Sequence, residues 1–153
     1  EQRWQTFPGS STGPSPLYNH TAIVASKKMY VFGGKNFKSY NRAIWVLDLD
    51  DFLWDKLSFS YKGRSGFAAV LTGGEIYAWG GREQGNAALG TGLHIIVQSD
   101  QVTPFSLPIS ARYGHAMVGR NERLLIFGGM TRKEYFRDGI AFTPSILPIL
   151  RSQ

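Results

Sequence analysis

Three times along the chain an apolar run of β-branched and aromatic residues ends on two glycines: "KMYVFGG", "EIYAWGG" and "RLLIFGG". The pairs are Gly33-Gly34, Gly80-Gly81 and Gly128-Gly129, at intervals of 47 and 48 residues. A fixed period of this size marks a repeat architecture, in which each unit buries its faces on its neighbours. Within each unit the apolar segments are short, separated by turn residues, and rich in residues that favour strands. In the first unit the pattern predicts strands a to d at 20–25, 28–33, 43–49 and 52–57. In the second it predicts them at 66–72, 75–80, 92–98 and 101–107. In the third, three strands fall at 114–119, 123–128 and 139–142, and a weak last one lies around "SILPIL". No segment carries helical periodicity.

The b strands hold almost no polar residue (Tyr30-Val31-Phe32, Ile76-Tyr77-Ala78-Trp79, Leu124-Leu125-Ile126-Phe127), as expected of strands covered on both faces. The expected fold is therefore all-β, with four-stranded antiparallel blades stacked as in a β-propeller. The glycine pairs stand where the chain turns at the end of strand b among crowded neighbours. Glycine supplies both small size and access to positive φ.

These residues resemble kelch repeats. The third unit carries Arg112, Gly114 and His115 before its apolar strand and Gly128-Gly129. The first has "YNHTAIVASKKMYVFGG" followed by "IWVLDLDDFLWDKL", with Trp45 and Trp54 where the family places aromatics on strands c and d. Departures are Leu17 in place of arginine, Phe67 in place of histidine, and no tryptophan beside Phe105. The middle unit also resembles the repeat of the regulator-of-chromosome-condensation family through Trp79-Gly80, Gly85, Leu89-Gly90 and Gly92. The resemblance implies blades at about 18–58, 65–108 and 113–150. Residues 1–7, with Trp4, would end a preceding or closing strand. Closed propellers need about four to eight blades, so three units starting at Glu1 are expected to be a section of a larger ring, completed by further blades or by a second copy.

Charge adds a direction. The net charge is +6. In an antiparallel blade, loops b–c and d–a share one side and loops a–b and c–d the other. The first side would hold ten cations against three carboxylates, and the second four cations against six carboxylates. Arginine and aromatic residues anchor interfaces, so the partner-binding candidates are Lys35, Lys38, Tyr40, Arg82, Arg112, Arg132, Lys133 and Arg137. The structural candidates are the six paired glycines, Trp54, and His20 and His115. The two histidines share one repeat position and are read as hydrogen-bonding scaffold groups.

Catalytic signatures are absent from the pattern. There are no cysteines, no nucleophile elbow and no metal-ligand spacing. "EYFRDGIAF" has Phe142 where an iron-binding kelch motif needs histidine, and "DLDD" reads as a turn rather than a calcium loop. Asn19-His20-Thr21 has the form of a glycosylation acceptor but falls at a strand start. No apolar run reaches membrane-spanning length and no signal peptide is visible, so the expected compartment is cytoplasmic or nuclear. The leading expectation is a non-enzymatic scaffold, without cofactor, that binds an acidic protein segment on the b–c/d–a side. An enzymatic propeller with its active residues in other blades, and a chromatin- or nucleic-acid-associated propeller, are the alternatives.

Overall fold

The computed structural model describes Arg3 and residues 13–144. Eleven strands form three antiparallel sheets among the described residues. The first holds β1 (Tyr18–Ala25), β2 (Lys28–Lys35), β3 (Ala43–Asp48) and β4 (Trp54–Ser60). The second holds β5 (Ala68–Thr72), β6 (Glu75–Trp79), β7 (Thr91–Ile96) and β8 (Gln101–Ser106). The third holds β9 (Ala116–Arg120), β10 (Arg123–Phe127) and β11 (Gly139–Phe142). Strand order within each sheet follows chain order, as in a propeller blade. The strand expected around "SILPIL" and the one expected at Trp4 lie outside the described residues.

The sheets stack face to face, with the first strand of the middle sheet, β5, beside both β1 and β9. One core layer joins the first two sheets through Tyr30, Phe32, Ile44 and Val46 on one side and Phe67, Ile76, Leu93 and Ile95 on the other. A second joins the next pair through Tyr77, Trp79 and Phe105 against Met117, Leu124 and Ile126. The b strands of the first two sheets are buried along most of their length. In β10 burial alternates instead, because one face of the third sheet is uncovered by the described residues.

All six paired glycines have positive φ, and the packing explains why the pair repeats. A side chain on the first glycine would overlap the residue at the histidine position of the following sheet: Phe67 against Gly33, His115 against Gly80. A side chain on the second would strike the Cβ of the corresponding residue in its own sheet, at 2.8 Å for His20 on Gly34 and 2.9 Å for both Phe67 on Gly81 and His115 on Gly129. One glycine admits the next sheet and the other admits the sheet's own first strand.

His115 is buried, with an edge-on contact to Trp79 at 5.3 Å. Neither ring nitrogen has a hydrogen-bond partner of good geometry, although the Trp79 backbone exerts a weak favourable pull on the protonated ring. His115 therefore holds the seam by shape rather than as the hydrogen-bonding group expected from the sequence. His20, its repeat equivalent, is exposed, because no described sheet precedes the first. Trp54 pairs with Leu47 across β3 and β4, and its ring lies against Gly13.

Candidate functional site

The b–c loops, 35–42, 82–90 and 130–138, are built alike. Each is closed by a bridge beginning just after its glycine pair: Lys35 with Tyr40, Arg82 with Ala88, Met130 with Tyr135. In the first loop the Asn36 side-chain oxygen accepts the backbone N–H groups of Lys38 and Ser39 at 2.8 and 2.9 Å. In the third the Thr131 hydroxyl accepts those of Lys133 and Glu134, both at 3.2 Å. Short polar side chains stabilise such turns by standing in for a backbone acceptor. They hold Lys38 and Lys133 at corresponding exposed tips.

The three loops converge on the middle one. Tyr40 donates to the Glu83 carbonyl at 3.4 Å, and Lys62 pairs with the Glu83 carboxylate at 2.5 Å. Arg132 donates to the Gly85 carbonyl at 3.4 Å. Loop residues from neighbouring sheets thus form one continuous surface on a rigid scaffold, the setting in which binding residues concentrate.

Lys38, Arg132, Lys133 and Arg137 are exposed on this surface. The Lys35 ammonium lies 5.4 Å from the ring centres of both Tyr18 and Tyr40, and the Arg82 guanidinium lies 5.0 Å from that of Tyr113. Phe37 and Tyr135 project almost wholly into solvent, at 103% and 83% exposure. A groove of about 640 Å³ runs beside the first loop, lined by Tyr40, Arg42, Trp45, Lys56 and Phe59 among others.

Arg112 does not join this surface. It is 1% exposed and turned inward, donating to the Gly128 carbonyl at 3.1 Å and to both carboxylate oxygens of Asp138 at 2.6 and 3.1 Å. The Arg112 hydrogen bonds hold the Asp138 carboxyl below the usual carboxylate range. Arg64, 48 residues earlier, is its counterpart: its guanidinium donates to the carbonyls of Gly80 and Thr91 at 3.0 and 2.6 Å. Burial lowers the Arg64 pKa from its ordinary value. Arg64 clamps the end of strand b to the first residue of strand c, and Arg112 clamps it to Asp138 in the loop beyond. Loop topology counts both among the ten cations of the basic side, and Arg112 was a partner-binding candidate there. The signal that could have separated them is their identical position in the repeat, two residues before Gly66 and Gly114.

Tyr61, also near this side, is buried with its hydroxyl against the Gly33 backbone N–H, and burial pushes its pKa up to about 12. Among the described residues no group of three or more His, Cys, Asp or Glu side chains is placed to hold a metal ion, and no helix is long and apolar enough to cross a membrane.

Stacked antiparallel sheets, ring-on-glycine seams and converging b–c loops define a β-propeller section. The family described as the KLHDC2/KLHL20/DRC7 Kelch-repeats domain matches residues 1–85, and the chain belongs to the kelch-repeat proteins. It is similar to the Rab9 effector protein with kelch motifs of Homo sapiens, 26% identical over 138 residues that cover 82% of this chain and 37% of that protein. It is similar as well to Kelch domain-containing protein 3 of Bos taurus, 26% identical over 160 residues, 93% of this chain and 42% of that one. The serine/threonine-protein phosphatase BSL2 of Arabidopsis thaliana matches at 28% over 139 residues, 83% of this chain and 14% of its own length. The chain thus spans about two fifths or less of these relatives. Kelch repeats of this kind are generally protein-interaction modules rather than catalytic ones.

Proposed function

We propose that this chain binds an acidic segment of a partner protein on its b–c/d–a loop face. The observation that carries the reading is the joining of the three b–c loops through Glu83 and Gly85, which presents Lys38, Lys133 and Arg137 together with Phe37 and Tyr135 on one surface. Lysines and arginines attract the carboxylates, and the exposed rings supply the apolar contact that charge alone lacks. The arrangement favours a peptide carrying both acidic and apolar side chains over a bare polyanion. Similarity to a protein named as a Rab9 effector agrees with a protein partner.

The test is fluorescence anisotropy with a labelled glutamate-rich peptide containing one phenylalanine, and with a single-stranded oligonucleotide of equal charge. Reversing charge at Lys38 and Lys133 together should weaken the peptide by about 2 kcal/mol or more, on the scale of interface hot spots. The same reversal at Arg120 and Arg123, exposed on the opposite side, should change it by less than about 0.5 kcal/mol. Equal losses from both pairs would refute a localised site. Oligonucleotide binding that exceeds peptide binding and collapses with salt would support the nucleic-acid reading instead.

A further inference from the structure

The three b–c loops carry different residues at one corresponding place. Two residues past each glycine pair stand Asn36, Glu83 and Thr131. Asn36 and Thr131 commit their side chains to their own turns, where they accept backbone N–H groups of the loop tip. In the middle loop backbone groups close the turn instead. The Glu83 N–H donates to the Ala87 carbonyl at 3.1 Å, and the Asn86 N–H donates to the Glu83 carbonyl at 2.9 Å. The Glu83 carboxylate reaches across to Lys62, on the link between β4 and β5, with nitrogen and oxygen 2.5 Å apart.

A second difference lies at the tips. Four residues past the glycine pair the first and third loops have Lys38 and Lys133, and the middle loop has Gly85. Lys62 therefore supplies the cation of the middle loop, and Glu83 neutralises it. The Lys62 side chain is 62% exposed and that of Glu83 23%, so the ammonium faces solvent and its carboxylate is the more sheltered of the two. An exposed ion pair adds little to stability, so the fold does not depend on this one. The Glu83 charge also acts favourably on the buried Arg64 guanidinium. The protein thus already holds one carboxylate, by charge, in the middle of its basic side.

We infer that Lys62 is a further partner-binding residue, and that Glu83 is an internal carboxylate occupying it until an acidic side chain of the partner takes its place. The inference rests on the proposed loop surface and adds a specificity device to it. Lys38 and Lys133 meet the partner unopposed, whereas the central cation opens only to a carboxylate that outcompetes Glu83. Glu83 thereby discriminates against weakly acidic segments.

The experiment is a double-mutant cycle, read by fluorescence anisotropy with the labelled glutamate-rich peptide. Glu83→Gln should tighten binding about tenfold. In the Lys62→Met background the same change should alter binding by less than about twofold, because the freed cation is gone. Glu83→Asn, which places there the residue of the first loop, should give the same gain as Glu83→Gln. Glu134→Gln, which removes an equal charge from the third loop, should give less than about twofold. Thermal unfolding checks that each variant keeps its fold. An equal gain in both Lys62 backgrounds, or from Glu134→Gln, would make Glu83 one charge among several and overturn the inference. So would the absence of any gain while the peptide still binds through Lys38 and Lys133. Peptide binding that ignores charge reversal at Lys38 and Lys133 would instead refute the loop surface itself, and the inference with it.

Discussion

Replacing His115 by phenylalanine separates shape from charge in the seam between the second and third sheets. The imidazole is 7% exposed, and burial, with Arg112 nearby, lowers its pKa to about 4 from the ordinary 6.5. The folded protein therefore refuses a proton that the unfolded chain accepts. Stability from this residue is complete above pH 6.5 and declines as pH falls from 6.5 towards 4. Each unit of pKa difference is worth about 1.4 kcal/mol. The loss should reach about 2 kcal/mol by pH 5 and about 3 kcal/mol below pH 4. His115→Phe should keep the contact over Gly80, because Phe67 fills the same place over Gly33 in the neighbouring seam. It should cost little at pH 8, since the imidazole nitrogens have no hydrogen bond of good geometry to lose. Urea unfolding of both proteins between pH 8 and pH 4.5 measures the difference, with other titrating groups common to the pair. The reciprocal Phe67→His should import the same acid sensitivity into the first seam. If His115→Phe retains the wild-type slope between pH 6.5 and 5, the buried neutral imidazole is not the source and the reasoning fails.

Two further outcomes test the backbone clamp and the turns. Arg64→Lys should destabilise by about 1–3 kcal/mol in thermal or urea unfolding, because a point-like ammonium cannot reproduce the planar fork in which Nη1 donates to the Gly80 and Thr91 carbonyls while Nη2 donates to the Thr91 hydroxyl; a change below about 0.5 kcal/mol would refute the clamp. Glu122→Gly should raise stability by about 0.5–2 kcal/mol, since Asn121 and Glu122 both hold positive φ in the β9–β10 turn, at 50° and 59°, where Asn-Gly is the favoured pair; a lower unfolding midpoint would instead show that the Glu122 side chain outweighs its backbone strain.

The period of the glycine pairs made the sheets and their order legible without coordinates, because each repeat needs the same small residues at the same crowded point. Most strand ends were off by a few residues, as with β4, expected at 52–57 and found at Trp54–Ser60. Backbone pairing and the bulge between Ala43 and Trp45, not local propensity, set where that strand begins and ends. The basic bias of one side was also legible, since charge per loop follows from topology alone. What composition could not distribute was the inside from the outside of that side. Arg64 and Arg112 count as loop cations in the sequence, yet the fold buries both where the ends of b strands leave carbonyls to be satisfied. The histidine position shows the same division. Repeat equivalence identified His20 and His115 as one structural element, but only stacking decides which is buried. His115 has a preceding sheet whose glycine receives its ring, and His20, with the same local sequence logic, has none among the described residues and stands in solvent.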